Sequence, residues 1–343
     1  MSPKYQTPVL VSVVMPVFNA ADTLAAAIRS IQRQTMSAWE LLVVDDGSTD
    51  GSAELAQRLA LNDPRLRVIR RPRAGLVPAL EAGLLEARGA YIARMDADDI
   101  SYPDRLELQV DYLEWNKALG VAGGLVDFGG DPAASEGYAL HVEWVNSLVK
   151  PEEIRLNRFV ESPLAHPSVM FRRNLVDRHD GYRAGPFPED YELWLRWMAA
   201  GVEMGKVPRR VLIWNDPPRR LSRTDPRYDT EAFYEIKAGY LAREIHAGRR
   251  GRQVLVWGAG RPTRKRAECL ARHGVEINGY LDIDPEKWGR RPQGRPVAGP
   301  AEIPPPHQAV VLGYVAKRGA RELIRQHLEA RGYREGQDFW MAA

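Results

Sequence analysis

Residues 90–99 read AYIARMDADD, an apolar run that leads directly into three carboxylates, Asp96, Asp98 and Asp99. A strand that ends in this way places several negative charges at one edge of a sheet. Such charges shift each other's pKa unless a cation or a hydrogen-bond network compensates them. A divalent ion such as Mg²⁺ is the simplest compensator, since it binds one or two carboxylates and completes its shell with water and phosphate oxygens. The alternative is a solvated acidic turn that caps a helix predicted near Pro103.

The sequence on both sides of this stretch alternates between strand and helix patterns. The predicted strands are residues 9–17, 41–44, 66–69 and 90–93, and helices are expected from about Asp22, through Leu55 and Leu59, and through Leu80 and Leu84. This alternation predicts a parallel sheet with helices on both faces, which is an α/β fold.

Polar turn segments follow three of these strands. Asn19 comes after the first strand, Asp45 and Asp46 come after the second, and the acidic cluster comes after the fourth. The carboxyl ends of parallel strands lie at one edge of the sheet, and ligands of α/β proteins bind outside that edge. The three segments together predict a nucleotide site.

Composition and charge narrow the classes of function. The 343-residue chain carries a formal net charge of +3 and one cysteine, Cys269, which suits a reducing compartment. Its arginines accompany no nucleic-acid-binding motif, so we expect no nucleic-acid partner. No apolar run approaches the ~18 residues of a membrane-spanning helix, and no signal peptide opens the chain. We therefore expect a cytoplasmic protein, or one bound peripherally at the inner face of the cell membrane.

Several motifs occur in an order that resembles one enzyme family. They are VMPVFN at 14–19, VVDDGSTD at 43–50, the Gly75–Gly83 segment, DADD at 96–99, HPSVMFR at 166–172 and PEDYELW at 188–194. Across most of residues 9–225 the chain resembles the family 2 glycosyltransferases of the GT-A fold. The resemblance implies a Rossmann-like domain with a mixed sheet. It also implies a metal-dependent, inverting transfer of a sugar from a nucleoside diphosphate sugar, UDP-linked, to a hydroxyl acceptor in bacterial cell-surface glycan assembly.

The resemblance also implies roles for individual residues at the sheet edge. Asp45 or Asp46 would accept a hydrogen bond from the ring N–H of the base, and Asp96 would hold the ribose or a metal-bound water. Asp98 would ligate Mn²⁺ or Mg²⁺, with Asp96 as its partner. Arg73 and Arg220 would reach the diphosphate, although solvated arginines are an equal alternative for both. The implied nucleotide-binding set is Pro16, Val17, Phe18, Asp45, Asp46, Arg73, Asp96, Ala97 and Arg220.

Inverting transfer needs a carboxylate that takes the proton from the acceptor hydroxyl. The resemblance implies that Asp190 is this base, with Glu189 as the second choice. Asp190 precedes a helical pattern with an apolar face, and a carboxylate at a helix start gains from the helix dipole. The alternative is that Asp190 is only the N-cap of that helix.

The strand–helix pattern restarts in the last third of the chain. A strand at 254–257 leads into Gly258-Ala259-Gly260, and Asp282 follows the next strand about 22 positions later, as ribose recognition requires. The third glycine of the dinucleotide motif is absent, because position 263 is Thr. We expect a small Rossmann-like accessory domain with a candidate ligand site at Gly258, Gly260 and Asp282, and we favour docking over hydride transfer.

These patterns predict three segments: a glycosyltransferase domain at 1–228, a helical connector with a basic linker at 229–251, and the accessory domain at 252–343. Two rival functions remain open. One is a sugar nucleotidyltransferase, and the other is a non-catalytic nucleotide-binding protein that acts through the C-terminal domain. The acceptor is expected to be a glycan or a lipid-linked glycan. The donor sugar, the acceptor and the oligomeric state are left open by the sequence.

Overall fold

The first four strands follow the predicted alternation. The computed structural model describes residues 8–217, 220–249 and 251–343. The first elements are β1 Val11–Val17, α1 Ala21–Gln32, β2 Trp39–Asp45, α2 Ser52–Ala60, β3 Leu66–Arg70, α3 Leu76–Glu86 and β4 Tyr91–Arg94. The strands pair in parallel in the order β3-β2-β1-β4. Their carboxyl ends therefore share one edge, as the sequence predicts.

Helix α1 begins at Ala21, one residue before the start expected near Asp22. Asp22 therefore lies inside the first turn. The N-cap position is Ala20, whose side chain cannot cap the helix. The caps come from the loop after β2 instead: the Asp50 carboxylate accepts from Ala21 N–H at 2.9 Å, and the Ser52 hydroxyl accepts from Ala20 N–H at 2.9 Å. Since these bonds satisfy N–H groups that a helix leaves free at its start, they join the loop after β2 to α1.

The remaining strands of the first sheet change its character from parallel to mixed. They are β5 Ile100–Ser101, β6 Leu119–Phe128, β7 Met170–Arg172 and β8 Glu203–Trp214, with helices α4 Arg105–Trp115, α5 Glu136–Ser147, α6 Pro151–Asn157, α7 Asn174–His179, α8 Glu189–Ala199 and α9 Leu221–Thr224. The order is β3-β2-β1-β4-β7-β6-β8-β5, and β7 runs antiparallel to both neighbours. The predicted α/β fold with a mixed sheet is confirmed.

The core of this sheet explains why the strands are apolar. All seven residues of β1 and all seven of β2 are buried. Gly83 on α3 lets that helix approach β1 closely, because a Cβ at this position would lie 2.4 Å from Val14 Cγ1. A side chain at position 83 would therefore push α3 away from β1.

The last third of the chain forms a second, fully parallel sheet. Its elements are α10 Thr230–Arg249, β9 Gln253–Trp257, α11 Arg261–Ala267, β10 Gly279–Leu281, β11 Val297–Ala298, β12 Ala309–Gly313, α12 Ala320–Glu329 and β13 Phe339–Met341. The strand order is β11-β10-β9-β12-β13. From β9 the chain moves in one direction to β10 and β11, and later adds β12 and β13 on the other side of β9. The sheet therefore has a topological switch point between β9 and β12.

Contacts divide the described residues into two compact units. The first comprises the described residues within 8–154, 163–185 and 196–224, and the second comprises those within 155–162, 186–195 and 225–343. Helix α10 continues to Arg249, through part of the predicted basic linker, and its Ala238, Leu241 and Ile245 are fully buried in the core of the second unit. The domain boundaries at 228 and 251 stay predictions, and residues 1–7, 218–219 and 250 of the predicted segments lie outside the described residues.

In the described ranges, every helix is too short or too polar to span a bilayer.

Candidate active site

The acidic cluster lies where β4 ends, beside the carboxyl end of β1. Asp96, Asp98 and Asp99 each offer one carboxylate oxygen, and these three oxygens lie within 4.8 Å of one another. Asp99 is only 1 % exposed, whereas Asp96 and Asp98 are half-buried. The three side chains predicted from the sequence to approach each other do so.

Asn215, which directly follows β8, holds the acidic loop in place. Its backbone N–H donates to Asp99 Oδ1 at 2.8 Å, and its side-chain Nδ2 donates to the Asp98 carbonyl at 2.6 Å. The second oxygen of Asp99, Oδ2, is buried and has no hydrogen-bond partner. An unpaired, buried carboxylate oxygen is costly unless a cation or a donor reaches it.

The electrostatics of the cluster reflect the crowding of its charges. Burial, and next the negative charge of Asp96, raises the pKa of Asp98 to about 6. Burial, followed by Asp96 and Asp98, raises the pKa of Asp99 well above its ordinary value. The nearby cations only partly offset these increases in pKa, so a further cation would stabilise the ionised carboxylates.

Two buried arginines, one on β4 and one on α4, support the cluster. Arg94, the last residue of β4, forms an ion pair with Asp96. Arg105, at the start of α4, is fully buried and donates to the main-chain carbonyls of Arg94 at 2.7 Å and Val169 at 3.3 Å. Burial lowers the pKa of Arg105 to about 9, although the charge of Asp99 opposes this effect.

Arg220 lies between two aromatic rings near the cluster. Its guanidinium carbon is 4.5 Å from the ring centroids of both Tyr138 and Trp214. Its positive charge lowers the pKa of Asp98 and Asp99 against the larger effect of burial. The structure thus brings Arg220 into the electrostatic range of the acidic cluster, and its contact with the diphosphate stays a prediction.

The loop after β2 forms the neighbouring part of the edge. Both oxygens of Asp46 accept backbone N–H bonds, from Ala74 at 3.0 Å and from Gly75 at 2.7 Å. Asp45 accepts from Ser48 N–H at 3.3 Å. Asp46 therefore anchors the 73–75 segment, and this use of its carboxylate is not visible in the sequence.

The anchored segment carries Arg73 to Phe18. The guanidinium carbon of Arg73 lies 3.2 Å from the centroid of the Phe18 ring, which is 41 % exposed. Pro16 and Val17, at the end of β1, pair with Val44 and Asp45 of β2. The predicted nucleotide-binding residues of β1, β2 and the 73–75 segment are thus neighbours.

The two candidate bases lie in the first turn of α8, in the second unit. Glu189 is 2 % exposed, and its Oε2 accepts from the Tyr228 hydroxyl at 2.6 Å. Asp190 is half-buried, and its Oδ1 accepts from Tyr191 N–H at 2.7 Å. Asp190 is therefore inside the helix and not its N-cap, and it is the more accessible of the two carboxylates.

His166 is buried and hydrogen-bonded to another side chain. It lies in a single helical turn before β7, 7 % exposed, with Nε2 at 2.8 Å from the Tyr182 hydroxyl. Burial, and next the charge of Arg94, lowers its pKa well below the ordinary value. The ring is therefore neutral near neutral pH.

The candidate ligand residues of the second unit lie at the carboxyl ends of β9 and β10. Gly258 has a φ of +112°, and its N–H donates to the Leu281 carbonyl at 2.7 Å. The Asp282 carboxylate accepts from Ala259 N–H at 2.9 Å, Asp284 N–H at 3.0 Å and Lys287 Nζ at 3.1 Å. Gly260 begins the turn into α11. Asp282 is therefore bound within its own loops and does not stand ready for a ribose.

A hard divalent cation fits the acidic cluster. Carboxylate oxygens are the ligands that Mg²⁺ and Mn²⁺ prefer, three of them converge here, and Asp99 Oδ2 has no other partner. The structure adds Asp99 to the two ligands expected from the sequence. It also shows that Asp96 is shared with Arg94, which leaves Asp98 and Asp99 as the less occupied pair.

Comparisons with known proteins identify the class of enzyme. Residues 12–180 match the model of Glycosyl transferase family 2. A protein of Bacillus subtilis (strain 168) named glycosyltransferase EpsE is 34 % identical over 197 residues, which are 56 % of this chain and 67 % of that protein. The O-antigen biosynthesis glycosyltransferase WbnJ of Escherichia coli is 30 % identical over 194 residues, 54 % of this chain and 71 % of WbnJ. The chain belongs to the family 2 glycosyltransferases.

A solved structure shows the same fold. The crystal structure of S. aureus TarS 1-349, in complex with UDP-GlcNAc, superposes with a TM-score of 0.55 at 16 % sequence identity. The likeness covers 77 % of this chain and 71 % of that one. The GT-A type of fold expected from the motifs is confirmed, and the chain is a glycosyltransferase by family.

Three residues that support the acidic loop were not predicted from the sequence: Arg94, Arg105 and Asn215. Arg105 and Gln109 are polar positions on the stripe of α4 that also carries the buried residues Leu106 and Val110. A charged residue on the apolar face of a helix is a signal that could have identified Arg105. No comparable signal marks Asn215, because it is 116 positions from Asp99.

Proposed function

We propose that this glycosyltransferase uses Mg²⁺ or Mn²⁺ to bind a nucleoside diphosphate sugar, UDP-linked, and transfers the sugar with inversion to a hydroxyl acceptor in bacterial cell-surface glycan assembly. The observation that carries the proposal is the convergence of three carboxylates within 4.8 Å, with one buried oxygen unpaired, at the carboxyl edge of a family 2 fold. WbnJ is named for O-antigen biosynthesis, which agrees with a role in glycan assembly. TarS was solved with UDP-GlcNAc, which agrees with a UDP-linked donor.

In the proposed mechanism, Asp98 and Asp99, with Asp96, hold the divalent ion. The ion supplies Lewis-acid neutralisation of the diphosphate that departs. Arg220, fixed between Tyr138 and Trp214, adds positive charge on the same side, and its orientation needs no reorganisation when the substrate arrives.

The base of the nucleotide is proposed to bind at the end of β1 and β2. Asp45 or Asp46 accepts the ring N–H that uracil offers, and the backbone of Pro16 and Val17 flanks the ring. Arg73 lies over Phe18 and presents its positive charge at the same edge. Asp46 has a second role, because its bonds to Ala74 and Gly75 hold the segment that carries Arg73.

Asp190 is proposed as the base that takes the proton from the acceptor hydroxyl. Its carboxylate is half-buried, whereas Glu189 is almost completely buried and bonded to Tyr228. As the oxygen of the acceptor attacks the anomeric carbon, the bond to the diphosphate breaks on the opposite face, so one displacement inverts the configuration.

Two variants and one control test the proposal. In a donor-hydrolysis or transfer assay, we expect Asp190→Asn to lose about 10²–10⁴-fold in kcat, the range of general base catalysis, and to keep donor affinity. Asp98→Asn should lose both kcat and metal-dependent donor binding. Asp111→Asn, an exposed carboxylate on α4, is the matched control and should match the wild type. Full turnover by Asp190→Asn, with loss in Glu189→Gln, would move the base to Glu189.

The wider organisation is proposed on the same basis. Residues 1–228 would supply the transferase domain, 229–251 the connector and 252–343 an accessory domain. The acceptor is a glycan or a lipid-linked glycan, and the enzyme acts in the cytoplasm, at or near the inner face of the membrane. No nucleic acid takes part.

A further inference from the structure

Tyrosine side chains hold the first turn of α8, which carries the proposed base Asp190. Tyr191 is fully buried, and its hydroxyl donates to the Arg158 carbonyl at 2.6 Å. Its ring lies beside that of Phe233 on α10, with the ring centroids 5.4 Å apart. Asp190 is therefore followed directly by a residue whose ring and hydroxyl are both fixed in the interior of the second unit.

The carboxylates on either side of Asp190 accept hydrogen bonds from two more tyrosines. The Tyr228 hydroxyl donates to Glu189 Oε2 at 2.6 Å, and the Tyr240 hydroxyl donates to Glu192 Oε1 at 2.8 Å. Both glutamates are buried, and a buried carboxylate is costly unless donors reach it, so these bonds restrain their side chains. Asp190 is less buried than either glutamate.

The turn belongs to the second unit and to its hydrophobic core. Residues 186–195, which contain the turn, cluster with residues 225–343. Leu195 of this segment belongs to the same core as Ala238 of α10 and Val256 of β9. The core that covers the second sheet therefore extends to the segment that carries the proposed base.

Tyr228 lies in a well-bonded helical turn just before α10 and is a permanent donor. The Asp225 carboxylate accepts from the backbone N–H of Arg227 at 2.9 Å and from its Nη2 at 2.7 Å, and the Asp225 carbonyl accepts from Tyr228 N–H at 3.0 Å. Burial, and next the negative charges of Glu189 and Asp190, raises the pKa of the Tyr228 hydroxyl well above its ordinary value. The hydroxyl therefore stays protonated near neutral pH and continues to donate.

We propose that Tyr228 is a positioning residue for the transfer: its hydroxyl holds Glu189 and thereby fixes the turn of α8 in the orientation that Asp190 needs as the base. This rests on the proposed function, because it takes Asp190 as the base. A base must lie within hydrogen-bond reach of the proton that it takes, and a displacement of about 1 Å can cost about 100-fold in rate. The second unit thus takes part in the reaction beyond the docking role expected from the sequence.

The first experiment compares Tyr228→Phe with the matched control Tyr333→Phe. Tyr333 is a buried tyrosine of the same unit, and its hydroxyl donates to the Pro304 carbonyl at 2.7 Å. UDP release with Mn²⁺ is measured from UDP-glucose, UDP-galactose and UDP-N-acetylglucosamine, and the fastest of these is used for all variants. We expect Tyr228→Phe to lose at least about 10-fold in kcat with KM within about 2-fold of the wild type, and Tyr333→Phe to match the wild type. Equal kcat of the two variants would overturn the proposal.

The second experiment introduces Tyr228→Phe into Asp190→Asn. Because a positioning residue acts through the base, the second substitution should cause no further loss of kcat. Losses that multiply would show that Tyr228 acts independently of Asp190 and would overturn the proposal. Full turnover by Asp190→Asn alone would instead contradict the proposed base and remove the ground for a positioning residue.

Hydrogen exchange tests the positioning without any substrate. The first helical bond of the turn runs from Glu192 N–H to the Pro188 carbonyl at 3.0 Å. We expect the amides of residues 186–195 to exchange at least about 5-fold faster in Tyr228→Phe than in the wild type or in Tyr333→Phe. Unchanged exchange would show that the hydroxyl does not fix the turn. This measurement separates a failure of the positioning from a failure of the proposed function.

Discussion

At the carboxyl end of β4, Asp99 keeps a buried oxygen without a hydrogen-bond partner, whereas at the carboxyl end of β10 the Asp282 carboxylate accepts three hydrogen bonds from its own loops. Each aspartate follows a strand that pairs in parallel with a neighbour, β4 with β1 and β10 with β9. The difference lies in what surrounds them. Asp99 stands beside two more carboxylates, and Asp282 stands beside Lys287 and two backbone N–H groups.

The comparison shows that an aspartate at a strand end is not by itself a ligand site. Burial and neighbouring negative charge raise the pKa of Asp98 and Asp99. For Asp282, burial acts in the same direction, but the hydrogen bonds and Lys287 outweigh it and lower the pKa. At the first edge the nearby arginines do not fully compensate three carboxylates, whereas at the second edge Lys287 and two backbone N–H groups compensate one, so only the first is prepared for a metal ion.

The largest expected effect is that of metal removal on donor turnover, which tests the first sheet edge. We expect EDTA to reduce donor turnover by at least about 100-fold, since the ion contributes several kcal/mol of charge stabilisation at the departing diphosphate. Mn²⁺ or Mg²⁺ should restore the rate. A rate that is indifferent to EDTA would mean that Asp98 and Asp99 are not metal ligands.

Substitution of Arg105, the buried cation beside the first sheet edge, should have the next largest effect, which is on stability. Arg105→Met should lower the free energy of unfolding by about 3 kcal/mol, because it removes the side-chain donor from two buried acceptors, the Arg94 carbonyl and Gln109 Oε1. Urea denaturation measures the change, with Arg33→Met, an exposed arginine just after α1, as the control. Equal stability of the two variants would show that Arg105 does not support the acidic loop.

Removing the charge of Asp282 should affect stability and not turnover. Asp282→Asn keeps one acceptor oxygen but weakens the bonds from Ala259 N–H and Lys287, so we expect a loss of about 1–2 kcal/mol. Donor turnover should stay within about 2-fold of the wild type. A larger fall in turnover, with stability unchanged, would mean that the second edge also serves the chemistry.

The smallest expected effect is a dependence on pH in the first unit. Lys206 is fully buried, and burial lowers its pKa to about 7 from the ordinary 10.5. The unfolded chain therefore binds more protons than the folded one between these values, and stability should rise with pH above 7. The free energy of unfolding of the wild type, relative to Lys206→Met, should increase by about 1 kcal/mol from pH 7 to pH 8. A constant difference would show that Lys206 titrates normally.

The sequence was sufficient for the fold and for the acidic cluster because both depend on local signals. The apolar runs of β1, β2 and β4 and the polar residues after them follow directly from strand patterning and parallel topology. The carboxylates at 96, 98 and 99 meet because only three positions separate them. Nothing about their convergence requires a distant contact.

Other parts of the site depend on contacts that patterning does not contain. Asn215 holds the loop of Asp99 from a strand end over a hundred positions away. Asp46 gives both oxygens to the backbone of Ala74 and Gly75, and Asp282 gives its oxygens to Ala259, Asp284 and Lys287. The tertiary structure decides whether a carboxylate accepts hydrogen bonds from its own protein. Sequence patterning cannot show this, so it predicts a ligand site at Asp98 and at Asp282 equally.

The most direct test of the central claim is calorimetric titration of UDP into the wild type and into Asp98→Asn, each with and without Mn²⁺. We expect tight binding by the wild type only when Mn²⁺ is present, and binding by Asp98→Asn that is weak and indifferent to the metal. Equal, metal-independent binding of UDP by both proteins would contradict the assignment of the acidic cluster as the metal-dependent donor site.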